Sequence, residues 1–400
     1  MRTVYLDNNA TTRVDPEVVA AMLPCFDEHF GNPSSAHQFG AMSRLAVKEA
    51  RERVRALIGA AFREEILFTS GGTEADNTAI LGALEAADGR DEIVVSAVEH
   101  PAVLALVSHL ERTRPIKVHR IPVDALGRLD RACYRAALSP KVALVSIMWA
   151  NNETGVLFPV EELAAEAKAA GALFHTDAVQ AVGRLPIAVR ETAIDMLSLS
   201  AHKLHGPKGV GALYVRRGAP FRPLMFGGGQ ERGRRGGTEN TPGIVGLGKA
   251  AEIALPRLRG DAARMRALRE RLEASLIARI PNAFVVGDVQ SRLPNTSAIV
   301  CEDAEADAIV LLLNRAGVAA SSGAACASGS PAPSHVLRAM NIPAAVAAGA
   351  TRFSLSHDND DDDIDRVIDA MPAIVDRLRA RSHAEKSALA APRVAEPAYA

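Results

Sequence analysis

Residues 198–215 read SLSAHKLHGPKGVGALYV. Ser198–Ala201 closes a short apolar run, Gly211–Val215 opens another, and the Gly- and Pro-containing turn between them carries Lys203 between His202 and His205. Short β-branched or apolar runs bounded by Gly and Pro are strand signals. Lys203 is thereby placed just past the end of a strand. Working outward, ILFTS (66–70), EIVVSA (92–97), VALVSIMWA (142–150), ALFHTDA (172–178), DMLSLSA (195–201) and GALYV (211–215) alternate with segments of helical periodicity such as PAVLALVSHLERT (101–113) and VEELAAEAKAAG (160–171). This alternation predicts an α/β fold, a largely parallel sheet covered by helices.

After the Gly- and Arg-rich FGGGQERGRRGGTENTPG (226–243), a long helical stretch from Ile244 to Ile280 leads into a second, α+β unit. Its pieces are NAFVVG, TSAIVCE, the helical EADAIVLLLNRAG, VAASSG, ATRFSLS and a last helix to Arg381. The large domain is expected over residues 15–255, and the small one over 1–14 and 256–381. The Ala/Pro-rich tail 382–400 lacks periodicity and is expected to be disordered.

The chain has 400 residues, 48% hydrophobic and 23% charged, with a formal net charge of -1. It is long enough for two packed domains. A near-neutral balance gives no basic field for nucleic acid or an anionic membrane. No apolar run approaches the ~20 residues of a membrane span, and Asp7 and Asn8 interrupt the N-terminus before a signal-peptide core forms, so a cytoplasmic location is expected. The four cysteines, Cys25, Cys133, Cys301 and Cys326, contain no C-x-x-C pair, against both a disulfide framework and a zinc site. Cys25, Cys133 and Cys301 sit in helical or strand patterns and are expected to be buried and inert. Cys326 sits in SSGAACASGS (321–330), a small-residue loop without apolar periodicity.

In parallel sheets, ligands sit at the carboxyl ends of the strands. FTSGGTEADNTAI (68–80) is a strand, a Gly-rich turn and a helix start whose N–H groups suit an anion, with Gly72 and Thr73 at the turn. It lacks the Gly-Lys-Ser/Thr of a nucleotide-binding P-loop. Asp177 ends a buried strand, where a carboxylate requires a cation or donors. Neighbouring histidines favour a partly neutral Lys203, the form that attacks carbonyl carbon. Each feature alone is ordinary. Together, anion cradle, strand-end carboxylate and strand-end lysine match the phosphate, the pyridinium nitrogen and the aldehyde of pyridoxal phosphate.

The ordered blocks YLDNNATT, GNPSSAH, FTSGGTEADN, VEHPAV, NNETG, HTDAVQAVG, SAHKLHGPKGVGALYV, GGGQERGRRGGTEN and SSGAACASGS resemble those of the cysteine desulfurases, class V enzymes of pyridoxal-phosphate fold type I. MWANNETGVLFPVEELA and CASGSPAPSHVLRAMNIP resemble the NifS type within that family, which supplies sulfur for the iron–sulfur clusters of nitrogenase. The tail after Arg381 does not resemble the scaffold-docking segment of the housekeeping IscS type.

The resemblance implies a large domain with a mostly parallel seven-stranded sheet. It implies that Lys203 carries the cofactor, Asp177 pairs with its ring nitrogen, Gln180 bonds its phenolic oxygen, and His100 stacks on the ring and moves protons. Gly72, Thr73, Ser200 and His202 would hold the phosphate, with Thr238 reaching it from the second subunit of a homodimer. Asn152 and Arg352 would bind the substrate carboxylate, and Asn32 lies in a block lining the same pocket. Cys326 would take sulfur from L-cysteine, leaving L-alanine and a persulfide, and serve an iron–sulfur scaffold protein as acceptor. No metal site built by the chain alone is expected beyond Cys326 as a transient iron–sulfur ligand. A selenocysteine lyase or another class V lyase or transaminase would share the cofactor residues without needing Cys326. A non-catalytic sulfur-delivery scaffold leaves Lys203 and Asp177 without a purpose.

Overall fold

The computed structural model describes residues 3–322 and 334–390; Cys326 lies outside the described residues. A two-residue strand, β1 (Val4–Tyr5), opens it. Seven strands then follow: β2 (Ile66–Thr69), β3 (Glu92–Ser96), β4 (Lys117–Ile121), β5 (Val142–Ser146), β6 (Leu173–Asp177), β7 (Met196–Ser200) and β8 (Gly211–Val215). They form one sheet in the order β2-β8-β7-β6-β5-β3-β4. All neighbours pair in parallel except β8, which runs antiparallel to both β7 and β2. The mostly parallel seven-stranded sheet is therefore present. β3, β5, β7 and β8 are buried at every position, as strands covered on both faces must be.

The pleat divides the sheet's side chains between two cores. Ile66, Phe68, Val94, Val145, Leu197 and Tyr214 belong to one core; Leu67, Ile93, Val95, Leu144, Met196 and Leu213 belong to the other. β4 is one of the two edge strands, and its Lys117, His119 and Arg120 show the charge that keeps an open edge from pairing further.

The Thr241–Arg279 helix packs along the Gln38–Leu57 helix and leads to the second unit. There β9 (Ala283–Val285), β10 (Thr296–Cys301), β11 (Val318–Ala319), β12 (Ser321–Ser322) and β13 (Ala350–Ser354) complete the strands among the described residues. β12-β13-β10-β9 is an antiparallel sheet, while β1 returns from the N-terminus to pair in parallel with β11. Val4, Leu6, Leu272, Ile299, Phe353 and Met371 share the core of this unit.

Two expectations are corrected. The last helix spans Asp361–Ala390 rather than ending at Arg381, because SHAEKSALA is rich in strong helix formers; the disorder expected from residue 382 therefore does not hold up to Ala390. Cys133 is exposed, not buried. It occupies the first turn of the Arg131–Ala137 helix, where Tyr134 and Ala137 take the inward face. Its thiol is nevertheless not activated, since a hydrogen bond to Asp130 raises its pKa. Cys25 and Cys301 are buried as expected, and burial pushes the Cys301 thiol up to about 11.

Candidate active site

The parallel strands aim their carboxyl ends at one edge of the sheet. A cavity of about 300 Å³ opens there, lined among others by Gly72, Thr73, His100, Asn152, Asp177 and Lys203. Gln180, Ser200, His202 and Arg352 line it as well. They arrive from several connections. β2 delivers the Gly-rich turn, β3 leads to His100, β6 ends in Asp177, and β7 runs through Ser200 into a single helical turn, Ala201–Lys203.

The Gly72–Leu84 helix starts without any side-chain cap. Its first N–H groups, which no helix can satisfy internally, are thus left to bind an anion beside Thr73, Ser200 and His202. Glycine is required where β8 passes this turn: a Cβ on Gly211 would lie 2.8 Å from the Gly71 backbone. Burial, followed by the charge of Lys203, lowers the His202 pKa to about 4, so this side chain is a neutral hydrogen-bonding group.

Asp177 is buried beneath the cavity, and burial raises its pKa even though His100 and Lys203 oppose the shift. One oxygen accepts from the Val179 N–H at 2.9 Å. Asp76, also lining the cavity, is raised well above the usual range by burial and then by the charge of Asp177; its Oδ1 has no hydrogen-bond partner. Two buried carboxyl groups facing one space fit a proton-bearing ring nitrogen, which would relieve both.

His100 caps the Pro101–Thr113 helix, its Nδ1 accepting from the Ala102 N–H at 3.1 Å. Nδ1 is therefore unprotonated, and the neutral ring carries its proton on Nε2. Burial lowers its pKa, with Asp177 opposing the shift and Lys203 adding to it. The Lys203 Nζ donates to the carbonyls of Asn9, at 2.6 Å, and Ala10.

The N-terminal block assembles the opposite wall. Arg352 on β13 is 2% exposed; its Nη2 meets Asp7 Oδ1 at 2.7 Å and its Nη1 donates to the Asn152 carbonyl at 3.1 Å. Asn9 Nδ2 donates to the same carbonyl at 3.0 Å and to Thr296 Oγ1 at 2.9 Å. Gln180 donates to the Asn9 carbonyl at 3.1 Å while its Oε1 accepts from buried Arg184. Burial, and then the charge of Arg352, lowers the Arg184 pKa to about 10. Asp7, Asn9, Asp76 and Arg184 are members of the site that sequence reasoning missed. Their only sequence signal was that Asp7 and Asn9 stand in YLDNNATT and Asp76 in FTSGGTEADN.

Thr238 and Asn32 do not line this cavity; both are exposed in the single chain. Asn32 turns its Oδ1 back to the Ser34 N–H at 2.9 Å. The loop before Thr238 is fixed to the rest of the chain. Arg235 pairs with Glu74 at 2.9 Å, and buried Glu231 pairs with Arg51 at 2.6 Å.

The class-V aminotransferase family profile matches residues 4–367. The chain belongs to this family. It is 62% identical over 400 residues, all of both chains, to a protein of Gluconacetobacter diazotrophicus named cysteine desulfurase. It is 57% identical over 379 residues to "Cysteine desulfurase NifS" of Azotobacter vinelandii, covering 95% of this chain and 94% of that one. Among solved structures, one titled "NIFS-like protein" superposes with a TM-score of 0.88 at 38% identity, over 94% of this chain and 100% of the other. The family works with pyridoxal 5'-phosphate. The uncapped helix start and the two buried carboxyl groups suit its phosphate and its ring.

Proposed function

We infer that the protein is a cysteine desulfurase that converts L-cysteine to L-alanine and leaves the sulfur as a persulfide on Cys326. The observation that carries this reading is the convergence of Lys203, Asp177, the uncapped Gly72 turn and Arg352 on one cavity, in a chain similar over its whole length to a protein named for that activity.

Pyridoxal phosphate, when bound, supplies an electron sink for negative charge developing at the substrate Cα. Gly72, Thr73, Ser200 and His202 would hold its phosphate, Gln180 would bond its phenolic oxygen, and Lys203 would carry it. Asp177 keeps the proton on the ring nitrogen, a task for which a buried carboxylate with few other partners is suited. Asn152 and Arg352 grip the substrate carboxylate; the planar guanidinium is held by Asp7 and the Asn152 carbonyl before substrate arrives. The Lys203 amine, at the cavity wall, would serve as the base that takes the substrate Cα proton. His100, neutral and at the cavity wall, would move protons near the leaving sulfur. The Cys326 thiolate then attacks the substrate Sγ; its Cβ–S bond breaks, the carbon ends protonated in alanine, and the sulfur stays on Cys326.

We propose a homodimer in which Thr238 of each subunit completes the phosphate site of the other. The anchored loop that presents it and the exposed side chains Leu23, Phe26, Phe30, Phe39 and Phe226 support this arrangement, since such an apolar surface calls for cover. Asn32 lies among these residues in sequence. The persulfide serves an iron–sulfur scaffold protein, here for nitrogenase, a role supported by the relative named NifS. No helix among the described residues is long and apolar enough to cross a membrane. The test is Lys203→Ala. This variant loses the visible absorption of lysine-bound cofactor and all alanine formation; retention of both would exclude the reading.

A further inference from the structure

His205, the second histidine of the 198–215 stretch, does not line the cavity. It stands instead against His357 and Asp358, with one ligand-type atom from each of the three lying within 4.8 Å of the others. We propose that His205, His357 and Asp358 bind a divalent transition-metal ion of the zinc, cobalt(II) or iron(II) class.

Four observations carry this. The His205 Nδ1–H donates to the Arg13 carbonyl at 3.0 Å, the outer hydrogen bond that fixes the tautomer of a metal-ligating histidine and leaves Nε2 as the ligand. His357 Nε2 and Asp358 Oδ1 are 3.5 Å apart, the spacing of two ligands on one ion with bonds of about 2.0–2.2 Å. The two imidazole rings, centroids 4.0 Å apart and tilted by 38°, place a second nitrogen donor beside the first. His205 is also fixed in space: its φ is +57°, outside the range most residues adopt, and its backbone is pinned by the Thr12 hydroxyl at 2.8 Å and the Asp15 N–H at 3.0 Å. Two nitrogens and one carboxylate oxygen, with the remaining positions open to water, suit such ions better than magnesium or calcium.

The position gives the site a consequence. His205 follows Lys203 by two residues, and His357 follows the strand that carries Arg352, so a bound ion clamps the lysine turn of the large unit to the arginine strand of the small one. Binding therefore raises the unfolding temperature.

Titration of the holoenzyme with cobalt(II) chloride, by difference absorption and calorimetry, tests the site. One ion per chain is expected, with ligand-field bands and without the sulfur-to-cobalt charge-transfer band that coordination by Cys326 would give. His357→Ala should weaken binding at least about tenfold and leave metal-free turnover unchanged; Asp358→Asn, at an exposed side chain, should weaken it less. Should His357→Ala fail to hold cofactor, Asp358→Asn carries the test. Absence of binding, binding seen only through the charge-transfer band, or equal affinity in wild type and the variants overturns the proposal.

Discussion

Asp7 Oδ1 lies 2.7 Å from Arg352 Nη2, joining the N-terminal segment to β13 at the edge of the cavity. The pair is nearly desolvated on the arginine side, and Arg352 Nε has no hydrogen-bond partner. Asp7 is thus placed to position the Arg352 guanidinium, the proposed grip on the substrate carboxylate. Asp7→Asn should raise KM for cysteine about tenfold with a smaller change in kcat, the pattern of lost ground-state binding. Arg352→Lys should raise KM further, since a fork becomes a point charge. Steady-state kinetics on the two variants, with alanine as the readout, separate these outcomes.

Asp177→Asn removes the carboxylate proposed to hold the ring proton. A fall in kcat of about 10²-fold or more is expected, about 2.7 kcal/mol of barrier, with cofactor still bound by the phosphate contacts. Single-turnover rates with absorption monitoring check it. An unchanged kcat would remove Asp177 from the chemistry.

Glu99, next to His100, is fully buried; burial raises its pKa to about 8, partly offset by the Ser96 hydroxyl and the Met148 N–H. A carboxyl raised in the folded state contributes stability that is complete below the unfolded pKa of about 4.5 and is lost as pH rises through about 8. Wild type should therefore lose more thermal stability than Glu99→Gln between about pH 6 and pH 9. Thermal melts across that range decide it, and parallel curves would show that Glu99 is not the titrating group.

Arg51 and Glu231 pair at 2.6 Å with side chains 8% and 2% exposed. Glu231→Ala leaves a buried guanidinium without its partner and should cost about 3–5 kcal/mol by denaturant unfolding. Arg51→Met combined with Glu231→Leu should recover much of this. Because Glu231 anchors the loop that carries Thr238, the single variant should also weaken cofactor retention if Thr238 completes the phosphate site as proposed.

The sheet was legible wherever strands are buried on both faces, because β2, β3, β5 and β8 leave near-continuous apolar runs and β6 and β7 apolar residues broken only by His, Thr, Asp or Ser. β4 escaped notice: Lys117, His119 and Arg120 give an edge strand the composition of a loop. Lys203, Asp177 and the Gly72 turn were readable because each breaks an apolar run at a strand end. Asp7 and Arg184 were not, since their meaning depends on packing against Arg352 and Gln180, far off in the chain. Cys133 misled because helical periodicity alone does not say which side of a short helix faces inward. The helix to Ala390 shows good helix formers extending a helix that amphipathic pattern alone would end earlier.

The most direct test compares wild type with Cys326→Ala, both loaded with cofactor, for alanine and sulfide released from L-cysteine in the presence of a reductant. The account predicts equal amounts of alanine and sulfide from wild type, and from the variant an intact cofactor absorption with no sulfide. Sulfide release by Cys326→Ala at the wild-type rate would contradict it, and would reassign the reaction to elimination without a protein-bound sulfur.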